Sequence, residues 1–229
     1  MFGSKRVPVA VAIALTAVAG VTALEVDGRD VRIHAQAIVQ KDGPGDIDIQ
    51  KAADALLAFA TVPDAQNQYF PKFAKEKIAW LTARVTAGTA AVLLLKDPSH
   101  TNLSADDLMA SAVLGGRHTV VISQPRFVQF LIEGGRVSPP FGEQQRNDFM
   151  LGLVHEVVHL QAVGLSGPTG KQERIREESR TWHEVSLNVV RPLRWLGQRV
   201  HPKFVRVDEA LRSCGDVLPC SEFVREVFR

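Results

Sequence analysis

Cysteine is scarce in this chain: two residues among 229, Cys214 and Cys220, both close to the end. Two thiols cannot build a cysteine-only metal site, and with neither near the histidine motif a zinc–thiolate site is not expected. Tyrosine occurs once, as Tyr69. Neither sign of charge dominates, since 27 Lys and Arg stand against 25 Asp and Glu, a formal net charge of +2. The basic residues Arg191, Arg194, Arg199, Lys203 and Arg206 are spread over a predicted helical surface without interleaved aromatics. They read as a solvated face and give no case for nucleic acid. No internal repeat, low-complexity tract or strong linker divides the chain, so its length implies one sizeable domain.

Charge is also missing from Val7 to Ala23, an Ala- and Val-rich run preceded by Lys5 and Arg6. Residues 1–23 therefore read as a signal peptide or N-terminal membrane anchor, with residues 24–229 as the single folded domain. Val21-Thr22-Ala23 permits cleavage before Leu24. As an anchor the run is slightly short of the roughly 20 apolar residues that span a bilayer, and Pro8 interrupts it. Either reading places the domain outside the cytoplasm: periplasmic, secreted or held on the outer face of the membrane. Cys214 and Cys220 flank the turn-rich Gly215-Asp216-Val217-Leu218-Pro219, and a disulfide between them would be stable there. A pair of free buried thiols is the alternative.

What the chain does contain is His155-Glu156-Val157-Val158-His159. The residues around it, Phe149, Met150, Leu151, Leu153, Val154, Leu160 and Val163 among them, are apolar nearly all the way round, which predicts a buried helix. Two imidazoles one turn apart inside such a helix need partners, and a divalent cation satisfies both together. Gly152, one turn before His155, leaves room for another element to approach. Such a site needs a third protein ligand and keeps its fourth position open for water. After the helix breakers of Gly164 to Gly170, a second helical pattern runs from about Lys171 to Val190, implying an antiparallel pair. Its inward stripe is Ile175, Trp182, Val185 and Val189, and Glu178 fills the one gap. Glu178 is thus the expected third ligand. Glu177 falls on the expected wet face and is the reserve. A salt bridge from Glu178 to an arginine is the competing account.

The pattern HExxH followed by a glutamate on a later helix resembles the gluzincin class of zinc metallopeptidases, over roughly residues 145 to 190. The resemblance implies a zinc ion held by His155, His159 and Glu178, with Glu156 as general base toward water, and a peptide or protein substrate. It also implies an α+β, mainly helical, zincin-like fold with a small sheet packed on the helix pair. Metzincins fit less well, because Leu160 to Val163 is not followed by their Gly and third His. Tyr69 and His201 are candidates for an oxyanion donor. Asp148, two turns before His155, lies on the right side but far off for a bond to a ligand histidine, whereas Thr181 and Trp182 fall near the site and His183 is expected in solvent. The alternative is a non-catalytic envelope protein with a structural zinc or a polar His/Glu cluster. A helical interaction module, possessing the motif by coincidence, is a further one.

Upstream, the pattern predicts a hairpin around Asp27 to Asp30 within Glu25 to Val39, and helices at about Ile49 to Ala60 and Phe70 to Thr86. Strands follow at Ala90 to Lys96 and Thr119 to Ser123, with a short helix near Ala105 to Val113 between them. In the gluzincin class an edge strand binds substrate in extended form, and Thr119 to Ser123 is the expected edge, unless it is a plain core strand. His118 at its start is a further site candidate. The segment from Gly134-Gly135 to Pro139-Pro140 is read as a lid or a plain connector.

Overall fold

Helix α1 (Ile49–Thr61) starts where the Asp48 carboxylate accepts the Lys51 N–H at 2.9 Å, and it buries Ala52, Ala53, Leu56, Leu57 and Ala60 along one face. The computed structural model in which it is seen describes residues 21–27, 30–33, 47–61, 70–96, 107–114, 116–162, 171–215, 220, 223 and 227. Tyr69, residues 1–20 of the expected leader and the predicted helix breakers of 164–170 lie outside them. Helix α2 (Lys72–Thr86) begins after Pro71, whose extended ψ of 145° stops it from reaching back to Phe70. It ends at Gly88, where φ of 71° turns the chain into β3 (Ala90–Leu95).

The sheet has the order β2-β1-β3-β5-β4. Strands β1 (Val21–Asp27) and β2 (Asp30–Ile33) form the expected hairpin, closing at the Asp27↔Asp30 pair. Strand β1 also pairs antiparallel with β3 through Val21, Thr22 and Ala23. The expected leader cleavage point, before Leu24, therefore falls inside a strand. Strands β3 and β5 (Arg117–Ser123) are parallel, and β4 (Met109–Leu114) returns antiparallel onto β5.

One expectation fails here, and the edge-or-core alternative for Thr119 to Ser123 is decided for the core. The segment predicted as a short helix near 105–113 is strand from Met109 onward, because Met109-Ala110-Ser111-Ala112-Val113-Leu114 finds a ladder partner in β5. Helix propensity in Met, Ala and Leu is worth only tenths of a kcal/mol per residue, and cross-strand pairing overrides it. The edge is consequently β4. Thr119 to Ser123 lies between β3 and β4 and is buried throughout.

Helix α3 (Gln124–Glu133), N-capped by Ser123, leads through residues 134–142 to α4 (Glu143–Ala162). That connector is tied down at its start. Buried Gln145 donates Nε2 to the Leu131 and Arg136 carbonyls, and its side chain lies so close to Gly134 that a Cβ there would collide with it. Helix α4 runs through the middle of the molecule, touching α1, α2, β4, β5 and α5 (Lys171–Val185). Its apolar residues on every side, from Phe149 to Leu160, are buried accordingly.

Helix α5 continues through a π turn, Ser186–Val190, into α6 (Arg191–Trp195). The chain then folds back as α7 (Pro202–Ser213). Fully buried Asp208 on α7 holds α6 and α7 together through Arg191 Nε at 2.6 Å, Arg212 Nε at 3.1 Å and Arg194 Nη1 at 3.3 Å. Trp182, Val207, Leu211 and Phe223 form a second small core, next to which a Cys214–Cys220 disulfide closes the chain end. That bond suits an oxidising, exported environment. Among the described residues no helix is long and apolar enough to cross a membrane. The architecture is α+β and mainly helical.

Candidate metal centre

The antiparallel packing of α4 on α5 brings the sequence motif and the downstream acids together. His155 and His159 project from α4, one turn apart and buried, toward Glu178 on α5. The Nε2 atoms of the two histidines are 3.1 Å apart. Glu178 Oε1 lies 3.2 Å from His155 Nε2, and Glu178 Oε2 lies 2.9 Å from His159 Nε2.

These separations test the site for a metal. A tetrahedral ion bound at 2.0–2.2 Å holds its donor atoms about 3.3 Å from one another. Two imidazole nitrogens and a carboxylate, all within 4.8 Å of each other, match that spacing and form a group that can hold a metal ion. The donor chemistry suits zinc, though it does not select it uniquely. The competing account, a Glu178 salt bridge to an arginine, is not met among the described residues: its partners are His155, His159 and Trp182.

Glu177 does not face water as predicted. Its side chain is 14% exposed, and its Oε1 lies 2.8 Å from His159 Nδ1. A carboxylate on the far nitrogen fixes the ring and presents Nε2 to the site, which is how histidine ligands are commonly held. Thr181 Oγ1 is 3.4 Å from the same nitrogen. Trp182 donates its indole N–H to Glu178 Oε1 at 2.9 Å and packs its ring 4.5 Å from that of His155. Both residues stand one turn beyond their glutamates, where the sequence pattern put them. His155 Nδ1 is buried and has no partner among the described residues.

Burial opposes charge on His159, but hydrogen bonds from Glu177 and Glu178 outweigh it and push its pKa up to about 10. Burial likewise opposes ionisation of Glu178, yet His155 and His159 hold its carboxyl far below the ordinary range. Glu156 stands apart from the three donors. It is buried, and desolvation raises its pKa against the pull of His155 and His159.

All five residues line one open cleft of about 1270 Å³, walled on one side by β4. Met109 of β4 packs beside Gly152, its Sδ 3.4 Å from where a Cβ would stand, so the small residue admits the strand. The far wall is the segment 199–204, and α4 holds it through three side chains that the sequence pattern did not single out for this task. Glu143 accepts the Arg199 N–H at 2.8 Å, Asn147 donates to the Arg199 carbonyl at 2.7 Å, and Asp148 accepts the His201 N–H at 2.6 Å. Asp148 thus serves this segment and not a ligand histidine. Burial pushes its pKa up to about 7 against hydrogen bonds from the His201 N–H and the Gln144 side chain. A polar residue at the start of an otherwise apolar helix was the available signal.

Of the remaining candidates, His201 caps α7 by accepting the Lys203 N–H at Nδ1, 3.1 Å, and lines the cleft. His118 lines it too, but packs on Trp80 and is outside the donor group. His183 is half-buried, with Nε2 shielded and unpaired, where solvent was expected. Compared with models of protein families, with curated proteins and with solved structures, the chain has no match.

Proposed function

We propose that the chain is an exported zinc-dependent peptidase of gluzincin type, with His155, His159 and Glu178 as ligands and Glu156 as general base. The observation that carries this is the donor spacing of the three side chains on the floor of a cleft beside a free strand edge. Zinc, when bound, supplies a Lewis acid that acidifies water and polarises a carbonyl. The chain's own residues do the rest. Glu156, unpaired with the ligands and raised in pKa, is suited to take a proton from water and return it to the leaving amine. His201 lines the same cleft with its ring proton on Nε2, since Nδ1 accepts the Lys203 N–H.

The strand edge supports a peptide substrate. Ser123 N–H donates to the Leu108 carbonyl at 2.9 Å, which sets the alternation of the antiparallel pair. Ala110, Ala112 and Leu114 then turn their backbone groups to β5, and Met109, Ser111 and Val113 turn theirs to the cleft side. An extended peptide can add there as a further strand.

A second reading has one observation in its favour. His159 is bracketed by Glu177 and Glu178, so the cluster is satisfied as a hydrogen-bonded ion pair with no metal. Metal analysis and peptide hydrolysis separate the two. The proposal expects about one zinc per chain, lost in His155→Ala and Glu178→Ala. Glu156→Gln should keep the zinc while hydrolysis falls by about 10²- to 10⁴-fold. Undiminished hydrolysis by pure Glu156→Gln would overturn the mechanism, and a wild type free of zinc would favour the ion-pair cluster.

A further inference from the structure

The stretch from Arg191 to Arg206 contains five basic residues and no acidic one. Arg191 and Arg194 are committed to Asp208. Arg199 and Lys203 have no carboxylate partner among the described residues, are exposed, and line the same cleft as the metal-site residues. Glu143 and Asp148 turn their carboxylates to the backbone N–H groups of Arg199 and His201 and make no ion pair with Arg199 or Lys203 among the described residues. Those bonds, with Asn147, make the segment a fixed wall of the cleft. Burial lowers the pKa of His201, Arg206 and Lys203 lower it further, and Glu133 opposes them.

We infer that Arg199 and Lys203 form a subsite for a carboxylate of the substrate, one end of an extended peptide whose scissile bond lies at the His155–His159–Glu178 group. This rests on the peptidase reading. The spacing follows from α4, which carries both ends. Asn147 and Glu143, which hold Arg199, are eight and twelve residues from His155, about 12 to 18 Å along the axis, and an extended chain covers that in about four to five residues. The carboxylate is an internal Asp or Glu about four to five residues from the cleaved bond, or a free C-terminus at that distance. Guanidinium and ammonium groups in a cleft bind either through charge-assisted hydrogen bonds.

The test uses zinc-loaded Glu156→Gln and fluorescein-labelled decapeptides of one sequence in three forms: a single internal Glu moved along the chain, an all-Gln form with an amidated end, and an all-Gln form with a free C-terminus. Fluorescence anisotropy should show about tenfold tighter binding of one carboxylate form over the neutral amide, weakening with salt. Double substitution Arg199→Ala and Lys203→Ala should bring that ratio to about one, and Arg199→Lys should preserve most of it. Preference for internal Glu assigns the subsite to acidic side chains, and preference for the free acid alone assigns it to the C-terminus. Equal binding of all three forms, or binding of none, overturns the subsite. If wild type cleaves all three equally, the subsite falls and the peptidase stands. Carboxylate-selective binding with no cleavage by wild type leaves the subsite standing and overturns the peptidase.

Discussion

Glu177 and Glu178 are adjacent and chemically identical, yet they face different atoms. Glu178 faces both Nε2 atoms, while Glu177 faces His159 Nδ1. If Glu177 only orients the ring, Glu177→Ala should weaken zinc binding by about 10- to 100-fold without abolishing it. Glu177→Gln, which retains an acceptor for Nδ1–H, should lose less. Chelator competition measures both, and complete zinc loss in Glu177→Gln would make Glu177 a ligand. Asp148 gives a pH effect of known sign. Its folded pKa of about 7 lies above the ordinary 3.8, so the folded state holds that proton more tightly than the unfolded chain. The contribution is fully present below about pH 4 and is lost as pH rises through about 7, up to about 4 kcal/mol. Asp148→Asn keeps an acceptor for the His201 N–H and removes the titration. Its urea midpoint should therefore fall less than that of wild type between pH 4 and pH 8, and equal slopes would refute the assignment.

Strand β4 is the element on which a peptide would depend, and its parity makes a clean test. At Ser111 the N–H faces the cleft side, so Ser111→Pro removes a donor from the free edge and leaves the β5 ladder intact. Hydrolysis should drop with KM rising, while the thermal midpoint stays close to wild type. Ala110→Pro removes a ladder bond and should unfold the hairpin instead. If both variants lose stability alike, the edge is not where it is drawn. The same strand marks a limit of sequence reading. Helices α1, α2 and α5 carry their own 3.6-residue periods, α4 shows itself as an apolar run longer than a strand, and Glu178 stands out because it fills the one gap in the stripe of α5. Six residues of Met, Ala, Ser, Val and Leu carry no period of their own, and only the partner β5, a long-range contact, makes them strand. Glu177 was misjudged for a related reason. A stripe divides a helix into two faces, but an α4 that is apolar all round takes contacts from the flank as well.

For the whole molecule, metal and stability are linked if the α4–α5 pair binds zinc only when folded. Free zinc buffered at about a thousand times Kd should add about 4 kcal/mol. For a chain of this size that raises the thermal midpoint by roughly 10 °C. A shift under about 2 °C in wild type, or an equal shift in His155→Ala, would contradict the linkage. The π turn at Ser186–Val190 sets the phase of α6 against the glutamates of α5. The helix that begins with the α5 glutamates continues unbroken into α6, so the two are geared like teeth on a common shaft. Each residue advances an α-helix by about 100°, and a π turn accommodates one residue more than regular winding would. Because the π turn absorbs that residue, Arg191 and Arg194 meet Asp208 while Glu177 and Glu178 still face the histidines. Wound regularly at the same length, the helix would carry Arg191 and Arg194 about a quarter turn away from Asp208, so the count of residues between the glutamates and the arginines belongs to the design as much as their identities do.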